Sequence, residues 1–94
     1  MDTNKNRVVV TVVGKDRKGI IAAVSGALSG WEVNILDISQ TILQEFFTMI
    51  MIVVLTYARV SFSDLREQLG RVGQKYGVFI SCEHEEIFQY MHRI

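Results

Sequence analysis

The stretch GKDRKGI, Gly14 to Ile20, sets two lysines, an arginine and an aspartate between two glycines. It follows the β-branched run RVVVTVV and precedes a segment of helical periodicity, so it occupies a strand-to-helix junction. The first N–H groups of a helix have no intrahelical partner, and a loop at that point can hold a small anion or a polar ligand against them. A phosphate, an amino acid, or no ligand at all are the three alternatives. The glycine spacing is that of the phosphate loop Gly-x-x-x-x-Gly-Lys-Ser/Thr, but Ile20 and Ile21 stand where the lysine and the hydroxyl residue belong. The amine for the phosphate and the hydroxyl for magnesium are both missing, so nucleotide hydrolysis is not expected. The dinucleotide fingerprint Gly-x-Gly-x-x-Gly is absent too. Without a ligand, the loop reduces to a turn in which Asp16 caps the helix.

Other reactive side chains are isolated. In CEHEE, Cys82 to Glu86, strand alternation sends Cys82 and His84 to one face with no second pair to complete a metal site. Cys82 has no cationic neighbours in sequence and is expected to be an inert thiol. His92 falls near the C-terminus and is expected in solvent. Lys15, Arg17 and Lys18 form a basic cluster without interleaved aromatic rings, which reads as a solvated loop rather than a nucleic-acid patch. The ten basic and ten acidic residues cancel, which also argues against nucleic acid, whose binding rests on phosphate neutralisation. No catalytic constellation can be argued, so neither an enzyme nor a cofactor is expected.

These residues need a scaffold, and 94 residues provide one domain. The single cysteine excludes an intrachain disulfide and points to a reducing cytoplasm. The polar start MDTNKNR is unlike a secretory leader, and the longest apolar run, FFTMIMIVVL, is about half a membrane span. Arg7 to Val13 reads as a buried strand. Ile20, Val24, Ala27, Leu28 and Trp31 then recur on one helical face, with Trp31 expected in the core. Gly26 and Gly30 lower the propensity of this helix and predict its close packing on a sheet.

VNILDISQTIL alternates, with Leu36, Ile38, Gln40 and Ile42 on one face and Ile35, Asp37, Ser39 and Thr41 on the other. A tight QEF connection leads to a strand from Phe46 to Thr56. Ser61 and Asp64 have the form of a capping box, followed by Phe62, Leu65, Leu69, Val72 and Tyr76 at helical spacing and by Gly77 at the helix end. VFISCEH is a last strand, and EEIFQYMHRI a short tail helix with Ile87, Phe88, Met91 and Ile94 on one side.

The order is strand, helix, strand, strand, helix, strand. Right-handed crossovers turn it into an α+β ferredoxin-like βαββαβ sandwich: two layers, a four-stranded antiparallel sheet with first and third strands central, and a short C-terminal helix. The expected boundaries are a core over 7–84 and a helical tail over 85–94. The third strand is apolar on both faces, yet the two long helices cover one. A partner subunit is the stronger candidate for the second face, with part left to the tail helix, and Met49 and Met51 are expected at a sheet-to-sheet interface.

VVGKDRKGIIAAVSGALSGWEVNILDIS resembles the opening of an ACT domain: an Asp-Arg-x-Gly-Ile loop at Asp16, Arg17, Gly19 and Ile20, then Val-Asn-Ile at Val33, Asn34 and Ile35. The likeness spans 7–84 and is strongest to small stand-alone ACT proteins of bacteria and archaea, related to the glycine-cleavage regulator. It implies a cytoplasmic regulatory module that binds an amino acid or similar metabolite between two copies of the domain. The implied site is Asp16, Arg17, Lys18, Gly19 and Ile20 in the loop, with Asn34 and Ile35 at the start of the second strand. Asp16 would accept hydrogen bonds, Gly19 would let the backbone approach, and Asn34 would reach in from the other copy. A homodimer or higher homo-oligomer is implied. The alternative is a protein-interaction module that docks on an enzyme or regulator without ligand.

Overall fold

Val8, Val9, Val10 and Val12 are buried along Arg7–Lys15, the first strand (β1) of the computed structural model, which describes residues 6–15 and 19–91. Helix α1 (Ile20–Gly30), strands β2 (Asn34–Leu43) and β3 (Phe46–Val54), helix α2 (Phe62–Tyr76), strand β4 (Phe79–His84) and helix α3 (Glu85–Met91) follow. The strands form one antiparallel sheet in the order β2-β3-β1-β4, so the ferredoxin-like topology holds and the first and third strands are central. β1 continues to Lys15, and β3 ends at Val54 rather than Thr56. His92 and Ile94 lie outside the described residues, among which no helix is long and apolar enough to cross a membrane.

Register decides what each face holds. Val8, Val10 and Val12 of β1 stand opposite Val53, Met51 and Met49 of β3, and all six are buried. Ile20, Val24 and Leu28 of α1 and Leu65 and Leu69 of α2 close over them in one cluster, with Trp31 packed at its margin. Met49 and Met51 therefore lie beneath the helices, not between sheets as the sequence suggested. Their flexible thioethers fill the core between two sets of branched side chains. The opposite, outer face carries Ile50, Ile52 and Val54, which are half-buried.

Two local expectations fail for identifiable reasons. In β2, Ile35 pairs with Val53 and Asp37 with Ile52, so Leu36 is the extra residue of a bulge. Ile35 thereby joins Ile38, Gln40 and Ile42 on the helix side, where it packs against the core, while Leu36 leaves that set. Gly26 and Gly30 do not mediate close packing: both are exposed, and a Cβ on either would meet nothing within 4 Å. The buried face of α1 consists of large aliphatic side chains, and its glycines fall on the far side. Close approach occurs instead at Gly73 of α2 and Gly14 of β1, where a Cβ would lie 2.7 Å from the Val78 carbonyl oxygen and 2.7 Å from Val78 Cγ1 respectively.

The ends of α2 match their signals. Asp64 N–H donates to Ser61 Oγ at 3.2 Å, and Gly77 closes the helix in the left-handed region at φ 71°.

Candidate ligand-binding site

The loop glycine is where the backbone requires it. Gly19 precedes α1 at φ 88°, a left-handed conformation that strains any residue with a Cβ, and it is exposed. Its carbonyl accepts the Ala23 N–H at 2.8 Å, which closes the first helical turn. No acidic side chain stands in that turn and Gly19 offers no side-chain cap, so a ligand acceptor would meet the first amides of α1 and the positive end of its dipole. Ile20 points the other way, into the core, at 1% exposure. Asp16, Arg17 and Lys18 lie outside the described residues.

The strand that delivers this loop is fixed at its end. Gly14 packs on Val78, and Lys15 Nζ lies 3.7 Å from Glu45 Oε2 of the β2–β3 turn. The loop therefore sits at the hairpin end of the sheet.

Asn34 and Ile35 lie at the opposite end. The chain leaves α1 through a turn in which Val33 N–H donates to the Leu28 carbonyl at 2.9 Å and Glu32 takes φ 58°. Left-handed closure of this kind usually employs glycine. Glu32 is tethered by Arg59 Nε at 3.1 Å, and Arg59 N–H donates to the Trp31 carbonyl at 2.8 Å. Asn34 is exposed beyond this turn and lines a shallow concavity of about 450 Å³ with Ser29, Glu32, Val33 and Ile35.

One chain thus brings Gly19 and Ile20 together and, separately, Asn34 and Ile35. The eleven residues of α1 hold the two groups roughly 16 Å apart. The loop and the start of β2 therefore do not form one site within a single copy. Glu32 and Ser29 beside Asn34 were not singled out in the sequence. No sequence pattern marked them, because only the turn that ends α1 brings them to Asn34.

The remaining reactive groups are occupied structurally. Cys82 is 1% exposed, and burial, opposed by Arg66 and assisted by Glu83, pushes its thiol up to about 12. The His84 ring stacks on Phe62 with centroids 4.0 Å apart. Among the described residues no group of three His, Cys, Asp or Glu side chains could hold a metal ion.

Comparison with known proteins adds four likenesses. Residues 6–83 match the family model of the ACT domain. A UPF0237 protein of Methanocaldococcus jannaschii is 49% identical over 89 residues, which cover 95% of this chain and 99% of that protein. An ACT domain protein from Streptococcus pneumoniae, of solved structure, superposes with a TM-score of 0.77 at 40% identity, over 89% of this chain and 94% of its own. A crystal structure assigned as a glycine cleavage system transcriptional repressor shares the fold, with a TM-score of 0.73 at 23% identity, over 83% of this chain and 44% of its own.

Proposed function

The chain belongs to the ACT domain family, and from that premise we propose that it is a regulatory module that binds an amino acid or similar small metabolite between two copies of itself. The observation that carries the reading is the free edge of β2. From Leu36 to Leu43 every residue is exposed, and Asp37 is the one charge in the strand. The strand holds no proline or lysine, and among the described residues no element pairs with its outer edge, so its N–H and C=O groups on that side are open to another strand. Leu36 and Ile42 are 50% and 61% exposed beside them.

Antiparallel pairing of two β2 strands about an axis at Ser39, with the bulge at Leu36 absorbing one residue, sets Asn34 of one copy beside Leu43 of the other. Leu43 pairs with Phe46, and Phe46 with Lys15, the residue before the loop. The same operation therefore carries Asn34 of one copy to the loop end of its partner, and aligns the negative end of one α1 with the positive end of the other. Between them, the amides at Gly19 and Ile20 suit a carboxylate, while the Asn34 amide and the Asp16 carboxylate suit an ammonium. Arg17, Lys18 and Ile35 complete the proposed set around this core. Ligand contacts on both chains would favour the paired state by their differential affinity for it. No residue is given a catalytic role.

The test is a thermal-shift screen against the twenty amino acids at millimolar concentration, with light scattering in parallel. A ligand at a hundred times its Kd adds about 2.7 kcal/mol, a shift of several degrees for a domain of this size. Asn34→Ala is expected to remove the shift without changing the mass, and Ile38→Lys to remove both shift and pairing. A flat screen refutes the ligand reading and leaves the protein-interaction module.

A further inference from the structure

The outer face of the sheet is covered at one end only. Val9 is 3% exposed, whereas Val13 on the same face of β1 is 40% exposed and its neighbour Phe79 is 65% exposed. The boundary is α3, which is anchored by Arg7 Nη2 and Glu85 Oε2 at 3.2 Å. Beyond it the sheet forms a concavity of about 450 Å³ lined by Thr11, Thr48, Ile50, Phe79, Ser81 and Phe88. Glu83 is the one ionisable lining residue, and it faces Arg66 at 3.9 Å. On its free sides α3 shows Ile87 and Tyr90, 51% and 77% exposed.

We propose that a second copy of this chain covers this face, with α3 of each copy seated in the concavity of the other. A two-fold axis in the plane of the sheet and perpendicular to the strands reverses strand direction. It sets the covered row of one copy against the open row of the other, so ridge meets groove twice in an isologous contact. Phe46, Phe79 and Tyr90 keep half to three-quarters of their area exposed, and with Val13, Leu43 and Ile87 they offer roughly 700 Å² per copy. That exceeds the largest patch of an ordinary monomer and matches the ~800 Å² per partner of a stable interface. The lack of free charge in the concavity favours an identical neutral face over a basic or acidic partner.

This contact is independent of β2 pairing. The two axes are perpendicular, and together they close four chains into a dimer of dimers.

Sedimentation equilibrium at micromolar concentration tests it on wild type, Phe79→Asp, Ile87→Asp and the edge variant Ile38→Lys. All three positions are at least 42% exposed, so the core is retained, and circular dichroism verifies it. Wild type is expected at four chains of 10.7 kDa, and each variant at two. The inference is overturned if Phe79→Asp and Ile87→Asp keep the wild-type mass. A two-chain wild type split by Ile38→Lys alone leaves edge pairing standing without the face contact. One split by the face variants alone does the reverse, and a monomeric wild type overturns both.

Discussion

Gly70 and Gly73 lie three residues apart in α2, and alanine at the two positions should act in opposite directions. Replacing glycine in a helix interior recovers about 1 kcal/mol of backbone entropy and propensity. At Gly70 a Cβ meets nothing within 4 Å, so that gain is expected whole. At Gly73 the Cβ would stand 2.7 Å from the Val78 carbonyl oxygen and 3.3 Å from Ile80 Cγ1. Neither neighbour yields easily. The Val78 N–H donates to the Gly73 carbonyl at 2.9 Å, and Ile80 sits in β4, paired to Val12 of the central strand. Relief requires the helix to lift off the sheet by about half an ångström over Leu65 and Leu69, and overpacking of this kind costs about 1–3 kcal/mol. Gly70→Ala should therefore stabilise by about 1 kcal/mol and Gly73→Ala destabilise by about 1–2 kcal/mol after its propensity gain. Urea unfolding followed by circular dichroism, at one fixed chain concentration, measures both. Equal gains in the two variants, or Gly73→Ala within 0.5 kcal/mol of wild type, would refute the close approach of α2 to Val78.

Three further outcomes follow from single contacts. Ser61→Ala removes the acceptor of the Asp64 N–H and should cost about 1 kcal/mol, read in the same unfolding experiment. The Cys82 thiolate is disfavoured chiefly by burial, so the folded state holds its proton from the ordinary 9.0 up to about 12; stability should be complete below pH 9 and fall from there toward 12, and a thiol reagent should label Cys82 only after unfolding. Glu85→Gln weakens the hold of Arg7 on α3, and hydrogen exchange should accelerate in α3 while α2 stays unchanged.

Periodicity carried most of the fold. The 3.6-residue spacing of Leu65 and Leu69 and the serine cap defined α2, and β-branched runs defined the central strands. The errors came where a pattern depends on a neighbour that the sequence does not reveal. Strict alternation assigned Ile35 to the wrong side, since a bulge at Leu36 is chosen by the pairing with β3 and not by β2 itself. Glycine identity said that close packing occurs but not where, and the contacts fell at Gly14 and Gly73 rather than Gly26 and Gly30. Methionines on a strand apolar on both faces could belong to either side, and register placed Met49 and Met51 under the helices. At the site, Gly19 was legible as one of two glycines bracketing a strand-to-helix junction, whereas Ser29 and Glu32 join Asn34 only through the turn that ends α1.

The same asymmetry explains why a chain so well packed on one side leaves so much apolar surface on the other. Two helices suffice to bury Val8, Val10, Val12, Met49, Met51 and Val53, but neither can reach the outer face of β3 or the far edge of β2. α3 is seven residues long, about 10 Å, and so covers the Val9 row and stops before Val13. Leu36, Ile42, Phe46 and Phe79 remain open, and a net charge of zero adds no repulsion between copies. Edge and face are thus two consequences of one economy of covering elements. They make distinct demands, since a strand satisfies the edge through backbone hydrogen bonds while the face asks for apolar area. An assembly that met only one of them would leave the other exposed in every copy, and for that reason Ile38→Lys and Phe79→Asp are expected to release different contacts.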